Sequence, residues 1–147
     1  MAKRKKKPYQ KENPTSGKKA RGVKKAESTH NQCLVWQSGT MDRGGAWGWE
    51  KIDPVTWWDT ICPARHDFQT MKWINILGDK HHLVSIGKLE KQAQDRLAEI
   101  CQDDVDELCC LRLGATERIW GVKEAEKFKV LWWDPNHEIY PYQLKHT

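Results

Sequence analysis

A chain of 147 residues, 38% hydrophobic and 31% charged, has the size and the apolar content for one domain with one core. It contains nothing near the roughly 20 consecutive apolar residues of a membrane span. It also has no apolar stretch near its start like that of a secretory signal, so the sequence points to a cytoplasmic protein without a membrane partner.

The net charge of +5 hides a division. Residues 1–30 hold 11 of the 25 Lys and Arg but only 2 of the 20 Asp and Glu, a net of +9 that leaves the other 117 residues at −4. This segment has too few large apolar side chains to offset its ordering entropy, so a disordered lysine-rich tail is predicted over residues 1–30. Lys3, Arg4, Lys5, Lys6, Lys7, Lys18, Lys19, Arg21, Lys24 and Lys25 are its candidate phosphate contacts. The competing reading is a solubilising terminus or the remnant of a targeting signal.

A single domain is expected over residues 31–147. A first strand is predicted at residues 32–37, followed by a turn around Asp42, Gly44 and Gly45. Asp53 and Pro54 form an N-cap and N1 pair, which predicts a short helix over residues 55–61 that stops before Pro63. Phe68, Met71, Ile74 and Leu77 share one helical face and predict a second helix over residues 68–77, closed by Gly78. A loop with His81 and His82 leads to a short apolar piece at residues 83–86. The clearest helix follows at residues 88–101, with Leu89, Ala93, Leu97 and Ile100 on one face.

After an acidic connector, residues 108–113, 118–122 and 128–133 are apolar runs too short for helices and rich in β-branched, aromatic and cysteine side chains. Their polar connections have hairpin length, so they predict an antiparallel meander. The fold class expected is α+β, with helices packed on one face of a small antiparallel sheet.

Nine tryptophans are an unusual share of the aromatic side chains. Most should fill the core, Trp73 and Trp120 among them. Trp132 and Trp133 must face opposite sides of a strand, and Trp133 is taken as the candidate for stacking on an RNA base. His81 and His82 are candidate proton carriers for RNA cleavage, with surface-loop histidines as the plain alternative. Arg112 and Arg118 lie on adjacent predicted strands and could fork onto a phosphate, or else pair with cross-strand glutamates. His137 and Tyr140 close the meander. Five cysteines without framework spacing fit reduced thiols, and the Cys and His spacings do not fix a zinc geometry, so no metal or other cofactor is assigned.

The texts LCCLRLGATERIWGV, FKVLWWD and PNHEIY resemble the RelE/ParE toxin superfamily, in which a helix runs into a meander with an arginine-bearing strand and ends on a terminal Tyr. The segments WQSGTMDRGGAWGW and LWWDPNHEIYP are also similar to small proteins of bacteria and their mobile elements. The toxin resemblance implies RNA cleavage on the ribosome, as in the RelE branch, or another inhibitory role, as in the ParE branch, with a cognate antitoxin as partner and active-site roles for Arg112, Arg118, His137 and Tyr140. Glu138 departs from the family pattern, since Arg is frequent at that place. The function expected is therefore toxin-like action on RNA, with metal-independent endoribonuclease chemistry. Its alternatives are a non-catalytic nucleic-acid-binding protein and an interaction domain that inhibits a host protein.

Overall fold

The computed structural model describes residues 29–141. The basic side chains assigned to the tail, Lys3 to Lys25, lie outside the described residues.

Five strands form one mixed sheet in the order β1-β5-β4-β3-β2. They are β1 (Val35–Gln37), β2 (His82–Ser85), β3 (Glu107–Arg112), β4 (Arg118–Glu124) and β5 (Lys127–Asp134). The predicted meander is present as β3, β4 and β5, each antiparallel to the next. Two further strands extend it: β2 runs antiparallel to β3, and β1 runs parallel to β5 on the opposite edge.

Helices cover both faces of this sheet, where one covered face was expected. On the first face, α1 (Cys62–Gln69) and α2 (Trp73–Ile76) bring Phe68, Trp73 and Ile76 onto Cys109, Leu111, Ile119, Phe128 and Val130. On the second, α3 (Lys91–Glu99) brings Ala93 and Leu97 onto Leu108, Cys110, Trp120 and Leu131. Alternate residues of β3 therefore enter two separate cores, which is why its sequence reads as an unbroken apolar run. Trp73, Trp120, Trp132 and Phe128 are fully buried, each worth roughly 2–3 kcal/mol of transfer free energy.

The helical boundaries differ from prediction for local reasons. The run that Asp53 caps at Pro54–Thr56 does not stop before Pro63. It widens into a π-helical turn at Trp57–Ile61 and continues as α1, because the wider turn accommodates a proline nitrogen with no hydrogen to give. The single helix expected over residues 68–77 is broken. Lys72 is extended and forms a bridge with Cys33, which separates α1 from α2. The third helix begins at Lys91, later than expected, since the Glu90 N–H donates to the Ile139 carbonyl.

Register in β5 shifts at Trp120 and Gly121, which face Trp132 and Val130 and leave Leu131 as the extra residue. The bulge lets Leu131 and Trp132, neighbours in sequence, both face the second core. The Leu131 carbonyl accepts the Asp42 N–H at 2.9 Å and the Trp49 indole N–H at 3.0 Å. Those bonds fasten the segment 42–49 alongside the end of β5.

Candidate functional site

Arg112 ends β3 and Arg118 begins β4, and the two stand directly opposite each other across the hairpin. The loop between them closes with the Leu113 N–H donating to the Glu117 carbonyl. Both side chains then turn to one acceptor: the Gly114 carbonyl receives Arg112 Nε at 3.2 Å and Arg118 Nη1 at 2.9 Å. Arg118 Nη1 also donates to the Glu117 carbonyl at 3.1 Å. Like charges in facing positions repel, yet neither guanidinium is part of an ion pair among the described residues. Arg112 is exposed and Arg118 is buried, and burial together with the charge of Arg112 lowers the pKa of Arg118.

Asp134 is the cross-strand neighbour of Arg118 but serves the chain instead. Its carboxylate accepts the Trp120 indole N–H and the backbone N–H groups of Glu138 and Ile139. Burial still raises its pKa despite those three donors. This shapes the turn in which His137 takes a left-handed backbone with φ 57°. The His137 ring is buried, and its Nδ1 has no hydrogen-bond partner among the described residues. Burial, then the charges of Arg118 and Arg112, lower its pKa, so the ring is neutral at physiological pH. An unpartnered buried polar atom costs roughly 1–3 kcal/mol, which a ligand that bonds to it would recover.

The other sequence candidates fall in different places. His81 packs edge-on against Phe68 of α1, and its Nδ1 accepts the Arg112 backbone N–H at 2.9 Å. It thus fixes the backbone of β3 from behind. Burial and the nearby positive charges push its pKa down to about 4. His82 is half-buried opposite Cys110, on the strand face that two residues further along carries Arg112. Tyr140 is half-buried against the second core. Trp133 does not project from an uncovered face, because neither face is uncovered. It is buried beside Trp49 at 6.2 Å between ring centroids, and it also lines an open cavity. Cys109 and Cys110 are buried, and burial pushes the Cys110 thiol up to about 12, far from a reactive thiolate.

Three features were missed in the sequence. The Gly114 and Glu117 carbonyls hold the two guanidiniums, Asp134 organises the turn that buries His137, and Glu138 accepts the Trp47 indole N–H at 3.1 Å. The available signal for the first was two arginines flanking a short Gly-containing turn.

Among the described residues, no group of three or more His, Cys, Asp or Glu side chains is placed to hold a metal ion, and no helix is long and apolar enough to cross a membrane. Comparison with protein-family models, with curated proteins and with solved structures found no match.

Proposed function

We propose that this protein acts on RNA, holding a backbone phosphate between Arg112 and Arg118. The observation that carries the reading is the convergence of two guanidiniums, neither ion-paired, on the single Gly114 carbonyl, with the buried His137 ring feeling the charge of both. A phosphate would offset their mutual repulsion and accept from both in the forked geometry that guanidinium favours.

The reading extends to metal-independent cleavage in the manner of a RelE-like toxin. A neutral imidazole, His137 or the more accessible His82, would take the proton of a 2′-hydroxyl as its oxygen attacks phosphorus. The P–O5′ bond would break and the 5′-oxygen would leave with a proton from solvent water, while the imidazolium returns its own to solvent, giving a 2′,3′-cyclic phosphate and a 5′-hydroxyl. Arg118 would stabilise the charge that develops on the phosphoryl oxygens. Ribosome-bound RNA is the natural form of this substrate, and an antitoxin protein its natural regulator.

Binding of a labelled single-stranded RNA and analysis of its ends in the presence of a chelator test both levels. Arg112→Ala with Arg118→Ala should weaken binding about tenfold or more, as expected for loss of two charge-assisted contacts. Unchanged affinity in that double variant sinks the phosphate site. Intact RNA after prolonged incubation leaves a binding protein rather than a nuclease.

A second reading, an interaction domain that inhibits a host protein, draws on Trp58 and Val55, which are 68% and 65% exposed on one short helical stretch. Recovery of one stoichiometric protein partner, lost in Trp58→Ala, would favour it.

A further inference from the structure

The two edges of the sheet are finished differently. On β1 the outward N–H groups are taken: Leu34 donates to the Met71 carbonyl at 3.1 Å and Trp36 to Gln69 Oε1 at 3.5 Å. On β2 they are not. The Ile86 N–H donates to the Asp106 carbonyl, and in an antiparallel ladder bonded pairs alternate, so Val84 and His82 bond to β3 while Leu83 and Ser85 point their N–H groups outward. Neither of those two N–H groups has a partner among the described residues. The sequence of β2, HLVS, also lacks the lysine or proline that commonly blocks an open edge.

Beside this edge lies a cavity of about 160 Å³ lined by His30, Leu77, Leu83, Glu107 and Lys123. At about 30 Å³ per water-sized group it holds about five, the number of heavy atoms in a lysine side chain. Leu77 and Leu83 give it an apolar wall. The Lys123 ammonium is spent on the Ala125 carbonyl at 2.8 Å and on the Trp73 ring, whereas Glu107 is in no ion pair among the described residues. An aliphatic stem with a cationic end therefore matches the cavity. The chain itself supplies such groups, since His30 lines the cavity and residues 1–30 hold 11 of the 25 Lys and Arg. Lys25 and Lys24 stand five and six positions before His30, a span of at most about 20 Å. An attached segment also docks at an effective concentration in the millimolar range, so it needs little affinity.

We propose that residues 18–25 of this chain dock along the open edge of β2, with the side chain of Lys24 or Lys25 in the cavity against Glu107. Neighbours on an extended segment face opposite sides, so only one of the two lysines enters. Carbonyls of the docked segment take the Leu83 and Ser85 N–H groups. The consequence for RNA, and only that, rests on the function proposed above: the same lysines serve the nucleic acid, so docking withholds them until RNA competes.

Amide hydrogen exchange of the full-length protein, resolved by NMR, tests the docking. At low salt the Leu83 and Ser85 N–H groups should exchange at least about tenfold more slowly than unbonded amides, and about 1 M salt should remove that protection. The His82 and Val84 N–H groups, bonded within the sheet, report that β2 stays folded. Glu107→Gln should reduce the protection of Leu83 and Ser85, and Lys24→Ala with Lys25→Ala should abolish it. Free exchange at Leu83 and Ser85 in the full-length protein overturns the docking. Protection that survives the double lysine variant gives the edge to another occupant, and protection that rises with protein concentration gives it to a second copy; either overturns the assignment. Single-stranded RNA should release the two amides, and Glu107→Gln should raise RNA affinity about threefold. Protection that depends on Lys24 and Lys25 but is untouched by RNA upholds the docking and counts against the RNA reading alone.

Discussion

His81 gives its Nδ1 lone pair to the Arg112 N–H, a bond that an imidazolium cannot make. Its pKa is lowered from 6.5 to about 4, so between those values the unfolded chain takes up a proton that the folded chain refuses. Stability must then fall as the pH drops through that window. The lowered pKa of His137 acts in the same direction. From pH 7 to pH 5 the loss due to the buried His81 should be about 1–2 kcal/mol. His81→Asn keeps an acceptor near the Nδ1 position and does not titrate. Denaturant midpoints measured at both pH values should show a smaller acid loss in the variant, and an equal loss would assign the effect elsewhere. Asp42 works at lower pH. Its carboxylate takes Arg96 Nη2 at 2.7 Å, Arg96 Nε at 2.8 Å and the Trp132 indole N–H at 2.8 Å, and the Arg96 bond is the main reason its pKa is lowered. That contribution is complete above the ordinary 3.8 and is lost only as the pH falls through the lowered value, which separates it from the histidine window. Asp42→Asn should cost about 2 kcal/mol at neutral pH, because a carboxamide cannot accept from all three donors. A change under 0.5 kcal/mol, of order RT, would contradict its role as the tie between α3 and β5.

The β5 bulge depends on Gly121. A Cβ there would stand 2.5 Å from the Lys129 carbonyl and 2.8 Å from the Phe128 ring, both fixed in the sheet. Gly121→Ala should therefore destabilise the protein by about 2–3 kcal/mol, read from chemical denaturation. A variant as stable as the parent would mean that β4 and β5 can separate locally at no cost. The meander itself was legible, since its runs are short, β-rich and joined at hairpin length. The bulge was not, because one extra residue in an unbroken apolar run leaves no gap in the pattern. The second covered face was open to inference from that same run: Leu108 to Leu111 has no polar alternation, and half-exposed strands need one. The parallel edge strand β1 was recognised as a strand, but its pairing with β5 is set by contacts distant in sequence. At the candidate site, Arg112, Arg118 and His137 could be nominated from residue type and position. The Gly114 carbonyl that joins the arginines and the turn that buries His137 are products of backbone geometry, which residue identity does not display.

Charge is segregated along the whole chain: residues 1–30 carry +9 and the remaining residues −4. Under the proposed function, long-range attraction of RNA would come from the first 30 residues, while the body would repel it weakly and engage its two arginines only at contact. Each neutralised phosphate of a single strand contributes roughly −0.7 to the slope of log affinity against log salt. If most of the lysines engage, the full-length protein should show a slope of about −4 or steeper, and a chain lacking residues 1–30 should show about −1 to −2 from Arg112 and Arg118. The two parts are separable in a second way. Arg112→Ala with Arg118→Ala in the full-length protein should lower affinity at every salt concentration and change the slope by about one unit, leaving the steep dependence in place. Fluorescence anisotropy of a short labelled RNA across a salt series measures both effects. A slope that survives removal of the first 30 residues would move the electrostatic footprint onto the folded body, where the charge count gives it no source. A slope that collapses with the two arginines would place nearly all phosphate contact at the sheet end and leave the basic segment a solubilising role.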